Sequence, residues 1–137
     1  MKILVYNKQK NKMEKFERNL NDPMPYSKDK YLSVKEFRGS SLSDTLWTDK
    51  SAIEAFNKLR EIYGSPINVG YAFKRIGEGG HTGMSQHYAG VAFDIGQKLS
   101  ADQRKKIRKI AIDNKLFTYV EPAYLTPTWV GVYLETK

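Results

Sequence analysis

Residues 85–94, Ser-Gln-His-Tyr-Ala-Gly-Val-Ala-Phe-Asp, constrain this chain more than any other stretch. A glycine divides a polar half from a half that alternates between small and larger residues. The pattern predicts a loop that ends near His87 and a strand that runs through Asp94. Val91 and Phe93 then face one side of that strand, and Ala92 and Asp94 face the other. His87 and Asp94 stand seven residues apart. A neutral imidazole and a carboxylate are two of the usual three protein ligands of a catalytic zinc ion. The chain holds two histidines, His81 and His87, and both lie in this region. The chemistry is therefore expected here, but a third donor is hard to find.

A length of 137 residues, 40% apolar and 12% aromatic, suits one folded domain with a modest core. With no cysteine, the chain has no disulfide, no thiolate zinc site and no cysteine nucleophile. The early apolar run Ile3 to Tyr6 is far too short for a secretory leader or a membrane span. A cell-wall target would then be reached by export or by lysis, and otherwise the chain stays in the cytoplasm. A monomer is expected. The net charge of +8 favours polyanionic partners: nucleic acid, teichoic acid or acidic peptidoglycan. The cluster Arg104, Lys105, Lys106, Arg108 and Lys109 reads first as the solvated face of a helix. No nucleic-acid-binding motif accompanies it.

Residues 2–6 and 13–19 read as a hairpin around the turn Asn7 to Lys12. The breaker Asn21-Asp22-Pro23-Met24-Pro25 follows, so 1–30 is expected to be a hairpin and linker ahead of a domain over 31–137, within one globular unit. In 26–47, Phe37, Leu42 and Trp47 are expected to anchor an ordered loop. Thr48 or Asp49 caps a helix over about 50–63, which Gly64 stops. A strand is expected over 67–73, then the glycine-rich loop Gly77 to Gly83, then the motif strand. That loop lacks the Gly-Lys-Ser/Thr of a phosphate cradle. Ser100 and Gln103 form a capping box for a helix over about 101–114, with Ile107, Ile110 and Ala111 buried. Residues 116–121 and 129–135 read as closing strands. The expected class is α+β, with helices packed on a small, mainly antiparallel sheet.

The pattern Ser85-x-His87-x-x-Gly90-x-Ala92-x-Asp94 resembles the signature of zinc peptidases that cut peptidoglycan stem peptides. These are the D-alanyl-D-alanine carboxypeptidases and L-alanyl-D-glutamate endopeptidases of the Hedgehog/DD-peptidase fold. Tyr31 to Phe37, the helix ending at Gly64, the Pro66-Ile67 strand and Thr126 to Val130 extend the resemblance over about residues 31–135. It implies Zn2+ held by His87 and Asp94, with Ser85 supporting the site and Gly90 letting the backbone pass close to a neighbour. It implies a stem-peptide partner, contacted by Arg75 or Lys74 at the substrate carboxylate and by Ser85, Tyr88 and Trp129. Arg75 is the preferred cation. In the family the metal polarises the scissile carbonyl, and a carboxylate three residues before the third ligand moves the proton.

The chain departs from the family at its last strand. Gly131 stands where the third ligand, a histidine, is expected, Tyr133 where an aspartate is common, and Thr128 where the carboxylate base belongs. His81 is the better candidate to fill the gap, although it reads first as a surface-loop or substrate-contact histidine; Glu78 and Glu121 are further candidates, Glu121 reading most simply as a strand-end carboxylate. Glu135, four residues past Gly131, is about 13 Å away along a strand. The Tyr133 phenol is a poor ligand at neutral pH. Tyr71, Phe73, Tyr88, Tyr119, Tyr124 and Trp129 are available to line a groove, though most are expected in the core. Two functions remain: a zinc peptidase on wall stem peptides with impaired turnover, or a peptidase-like protein that binds wall peptides without cutting them.

Overall fold

The structure, a computed structural model, describes residues 1–75, 78 and 86–134, apart from the side chains of Gln86 and Tyr88. The fold is α+β, but its strands form two sheets where the sequence suggested one. The first sheet has the order β2-β1-β3. Strands β1 (Lys2–Asn7) and β2 (Lys12–Glu17) are the expected hairpin, paired in register from Lys2↔Glu17 to Asn7↔Lys12. Along β1 the burial alternates, with Ile3, Val5 and Asn7 inward, as a half-buried strand requires.

Strand β3 (Thr45–Asp49) pairs parallel with β1. A parallel pair needs a long crossover. Strand β2 returns the chain to the starting end of β1, and residues 18–44 then carry it across to β3 and hold the short helix α1 (Val34–Arg38). Ser33 and Glu36 close a capping box at the start of α1. The region read as an ordered loop therefore contains a helix and a strand. Phe37 is buried in the core and Trp47 packs against it, but the Leu42 side chain is 77% exposed and lies outside the core.

Helix α2 (Lys50–Tyr63) starts on Asp49, whose side chain accepts from the Ser51 amide, and ends on left-handed Gly64. Its buried face, Ala52, Ile53, Phe56 and Leu59, packs on β1, β3 and the second long helix. Asn57 lies on the same buried side. Its Nδ2 donates to the Tyr26 carbonyl (2.8 Å) and its Oδ1 accepts from the Lys28 amide (3.1 Å), so loop 26–28 is tied to the helix.

The second sheet is antiparallel, in the order β4-β5-β7-β6. Its strands are β4 (Val69–Tyr71), β5 (Ala92–Ile95), β6 (Tyr119–Val120) and β7 (Val130–Tyr133). They are shorter than the sequence suggested because β4 is irregular between Val69 and Tyr71 and β6 has only two paired residues. Helix α3 (Ala101–Asp113) starts at the expected Ser100/Gln103 capping box and packs on β6, β7 and α2.

Phe93 on β5 sits among Phe56 (ring centroids 5.5 Å), Phe117 (6.3 Å) and Phe37 (6.4 Å). Burying rings of this size contributes about 1.5–3 kcal/mol each. This cluster fixes which way β5 faces, and so where Asp94 points.

The basic cluster of α3 is only partly a solvated face. Arg104 and Arg108, one turn apart, reach back to loop carbonyls. Arg104 donates to Leu99 and to Pro127 (3.2 Å), and Arg108 donates to Thr126 (2.6 Å) and Trp129 (2.6 Å). Burial, with help from Arg104, lowers the pKa of Arg108. Among the described residues no helix is long and apolar enough to cross a membrane.

Candidate functional site

His87 lies in a single 3-10 turn, Gln86–Ala89, just before β5. The ring is buried, with 6% of the residue exposed. Its Nδ1 sits 2.6 Å from the carbonyl of Ala72, just past β4. A carbonyl only accepts, so Nδ1 carries a proton and Nε2 faces the other way. Tyr71 packs edge-on against the ring at 4.8 Å, and the Lys74 amide donates to the His87 carbonyl. The end of β4 thus holds the imidazole from two sides.

Gly90 follows, with φ +72°. A Cβ there would lie 3.0 Å from the Trp47 carbonyl carbon, and nearer still to its oxygen. The Thr48 hydroxyl donates to the Gly90 carbonyl at 2.6 Å. The neighbour that approaches the motif is therefore β3, the strand the sequence did not reveal.

Beyond Gly90 the strand alternates as expected. Phe93 enters the core and Asp94 emerges on the opposite face, beside His87. Asp94 Oδ2 lies 3.3 Å from His87 Nε2. This is longer than a charge-assisted hydrogen bond, about 2.7–2.9 Å. It matches the spacing of two donors on one tetrahedral zinc ion, about 3.3 Å for bonds of about 2.0–2.1 Å. With Nδ1–H already directed at Ala72, the facing Nε2 and carboxylate oxygen need a proton or a cation between them. The pair fits two corners of a metal site.

The third corner is different. Among the described residues, no group of three or more His, Asp or Glu side chains is placed to hold a metal ion. In the register of β5 and β7, Asp94 lies directly opposite Gly131, so both positions face the same side. Position 131 thus does address Asp94, and glycine leaves it without a side chain. Glu121, just past β6, fills that space. A Cβ on Gly131 would lie 2.9 Å from Glu121 Cδ and nearer still to Oε1. The Glu121 amide donates to the Gly131 carbonyl at 2.8 Å, which ties the two residues together. Burial pushes the Glu121 carboxyl above the usual carboxylate range; the Asp94 charge adds to this, and His87 opposes it.

The other candidates separate clearly. Glu78 is a structural clasp. Its carboxylate accepts from the Leu42 amide (2.8 Å), the Ser41 hydroxyl (2.7 Å) and the Arg75 amide (2.8 Å). These hydrogen bonds, with the Leu42 amide foremost, hold its pKa at about 2. The Arg75 guanidinium is half-exposed and 3.6 Å from Glu78. Lys74 is the buried cation of the two, with Nζ 4.9 Å above the Tyr71 ring that packs on His87.

Trp129 is half-buried, Thr128 is exposed, and the Tyr133 ring packs against Tyr119 at 5.2 Å. Of the aromatic residues expected mostly in the core, Phe73 is buried, whereas Tyr119 and Tyr124 are 39% and 83% exposed. His81, Ser85, the Tyr88 side chain and Glu135 lie outside the described residues. A groove of about 700 Å³, lined by residues including Leu4, Tyr6, Trp47 and Val91, contains none of His87, Asp94 and Glu121.

Compared with known proteins, the chain matches no family model, no curated protein and no solved structure.

Proposed function

We propose that this chain binds a divalent cation, zinc in the first instance, through His87 and Asp94, and acts on peptidoglycan stem peptides. The observation that carries this reading is the 3.3 Å approach of His87 Nε2 to Asp94 Oδ2, with Nδ1 engaged by Ala72. A buried imidazole oriented by a backbone carbonyl is the usual support of a metal-bound histidine. The sheet order adds to it: the motif strand β5 lies beside the last strand β7, with Asp94 opposite Gly131. Position 131, where the resemblance expects a third ligand, therefore faces Asp94.

Bound there, zinc would supply Lewis acidity toward a scissile carbonyl and lower the pKa of a coordinated water. The chain's own residues do the rest. Ala72 holds the imidazole, Phe93 anchors the strand that presents Asp94, and Lys74 places a cation near the site for a substrate carboxylate. The net charge of +8 favours an acidic wall polymer. With Thr128 in place of a carboxylate base, turnover is expected to be slower by ~10²–10⁴-fold.

The test is zinc content of the purified protein, together with D-alanine release from a stem pentapeptide. One equivalent of zinc is expected, lost in both His87→Ala and Asp94→Ala, along with slow release of D-alanine. A wild-type protein that binds no zinc refutes the reading. A second reading, a wall-peptide-binding protein without turnover, draws on the lack of a three-donor group among the described residues. It predicts stem-peptide binding with no D-alanine release at any zinc concentration.

A further inference from the structure

We infer that Glu121 supplies the third donor of this site, entering through the space that glycine leaves at position 131. This rests on the metal-binding reading above.

Position 131 is directly opposite Asp94 and on its face of the sheet, so it is the β7 position that meets this carboxylate most directly. A histidine at 131 would need the volume that the Glu121 carboxylate already occupies. The two arrangements exclude each other. Glycine at 131 and glutamate at 121 therefore form a matched pair, in which the donor has moved from one strand to the end of its neighbour. The backbone bond from the Glu121 amide to the Gly131 carbonyl keeps the relocated side chain in place.

The chemistry is consistent as well. Imidazole and carboxylate are both ordinary zinc donors, so one histidine and two carboxylates make an acceptable zinc set. As they stand, His87, Asp94 and Glu121 do not form a three-donor group, so the Glu121 side chain would have to turn toward the other two to share an ion with them.

The experiment is zinc titration by calorimetry on the full chain and four variants: His87→Ala, Glu121→Gln, Gly131→His and the double variant Glu121→Ala/Gly131→His. Glu121→Gln keeps the side chain's shape and removes its charge, so folding is retained and checked by circular dichroism. Loss of an outer-shell partner already costs about 10–100-fold in metal affinity, so loss of a donor should cost at least about 100-fold. Gly131→His alone clashes with Glu121 and should also bind poorly. The double variant, with the space cleared, should recover most of the affinity. If Glu121→Gln binds zinc within about threefold of wild type while His87→Ala does not bind, this inference fails and the two-residue site stands. If the double variant binds no better than Gly131→His, the exchange of position 131 for 121 is wrong. If wild type binds no zinc, both readings fall together.

Discussion

Gly90→Ala is the sharpest test of how the motif is built. Two penalties apply. The residue has φ +72°, in the left-handed region, where a Cβ costs about 1–2 kcal/mol. The new Cβ would also sit 3.0 Å from the Trp47 carbonyl carbon and 3.2 Å from Thr48 Cα, with the Trp47 oxygen closer than either. Those atoms belong to β3, paired with β1 along its length, so they cannot yield as a side chain does. Overpacking of this kind adds about 1–3 kcal/mol.

The sum is about 3 kcal/mol, or roughly 10 °C in Tm for a domain of this size. Gly64→Ala is the control. Gly64 has φ +80° but open space where its Cβ would go, so it carries the conformational penalty alone, about 1 kcal/mol. Urea denaturation of both variants measures the difference, and zinc titration reports the site, since Gly90 lies between His87 and Asp94. Equal losses in Gly64→Ala and Gly90→Ala would show that the close approach of β3 does not hold the motif, and would refute this reasoning.

Two further predictions concern the parts that hold the site's surroundings. Glu78 has its pKa held at about 2 in the fold against an ordinary 4.5, so it contributes stability above the ordinary value that is lost as pH falls from about 4.5 toward 2. Glu78→Gln should therefore be less stable than wild type at pH 7 and should lose less on acidification; parallel acid-induced losses in urea midpoints from pH 6 to 3 would count against it. Arg108→Lys keeps the charge but gives up the paired grip on Thr126 and Trp129, and should cost about 1–3 kcal/mol with faster proteolysis in residues 122–129. Cleavage rates equal to wild type would show that Arg108 does not hold this loop.

Much of the scaffold was legible from local signals. The capping box at Ser100 and Gln103, the Asp49 cap and the Gly64 stop bound the two long helices, since caps satisfy the helix's own end groups. The Ser33/Glu36 box carries the same signal for α1, masked by the breakers around it. Strand β3 carried no such mark. Its five residues gain their state from pairing with β1, a partner more than 40 residues away. Arg104 and Arg108 misled for a similar reason: a charge on a helix reads as solvated until the loop it holds is known.

The sequence by itself determined the imidazole and the carboxylate, because strand alternation around Phe93 sends Asp94 to the face opposite the core. It also shows that position 131, a glycine, carries no side chain. What occupies the space beside Gly131 was decided only in three dimensions. Glu121 is ten residues away along the chain, and only the antiparallel pairing of β6 with β7 lays its carboxylate over that glycine. Local pattern sets which way a side chain faces, whereas strand pairing sets what it meets.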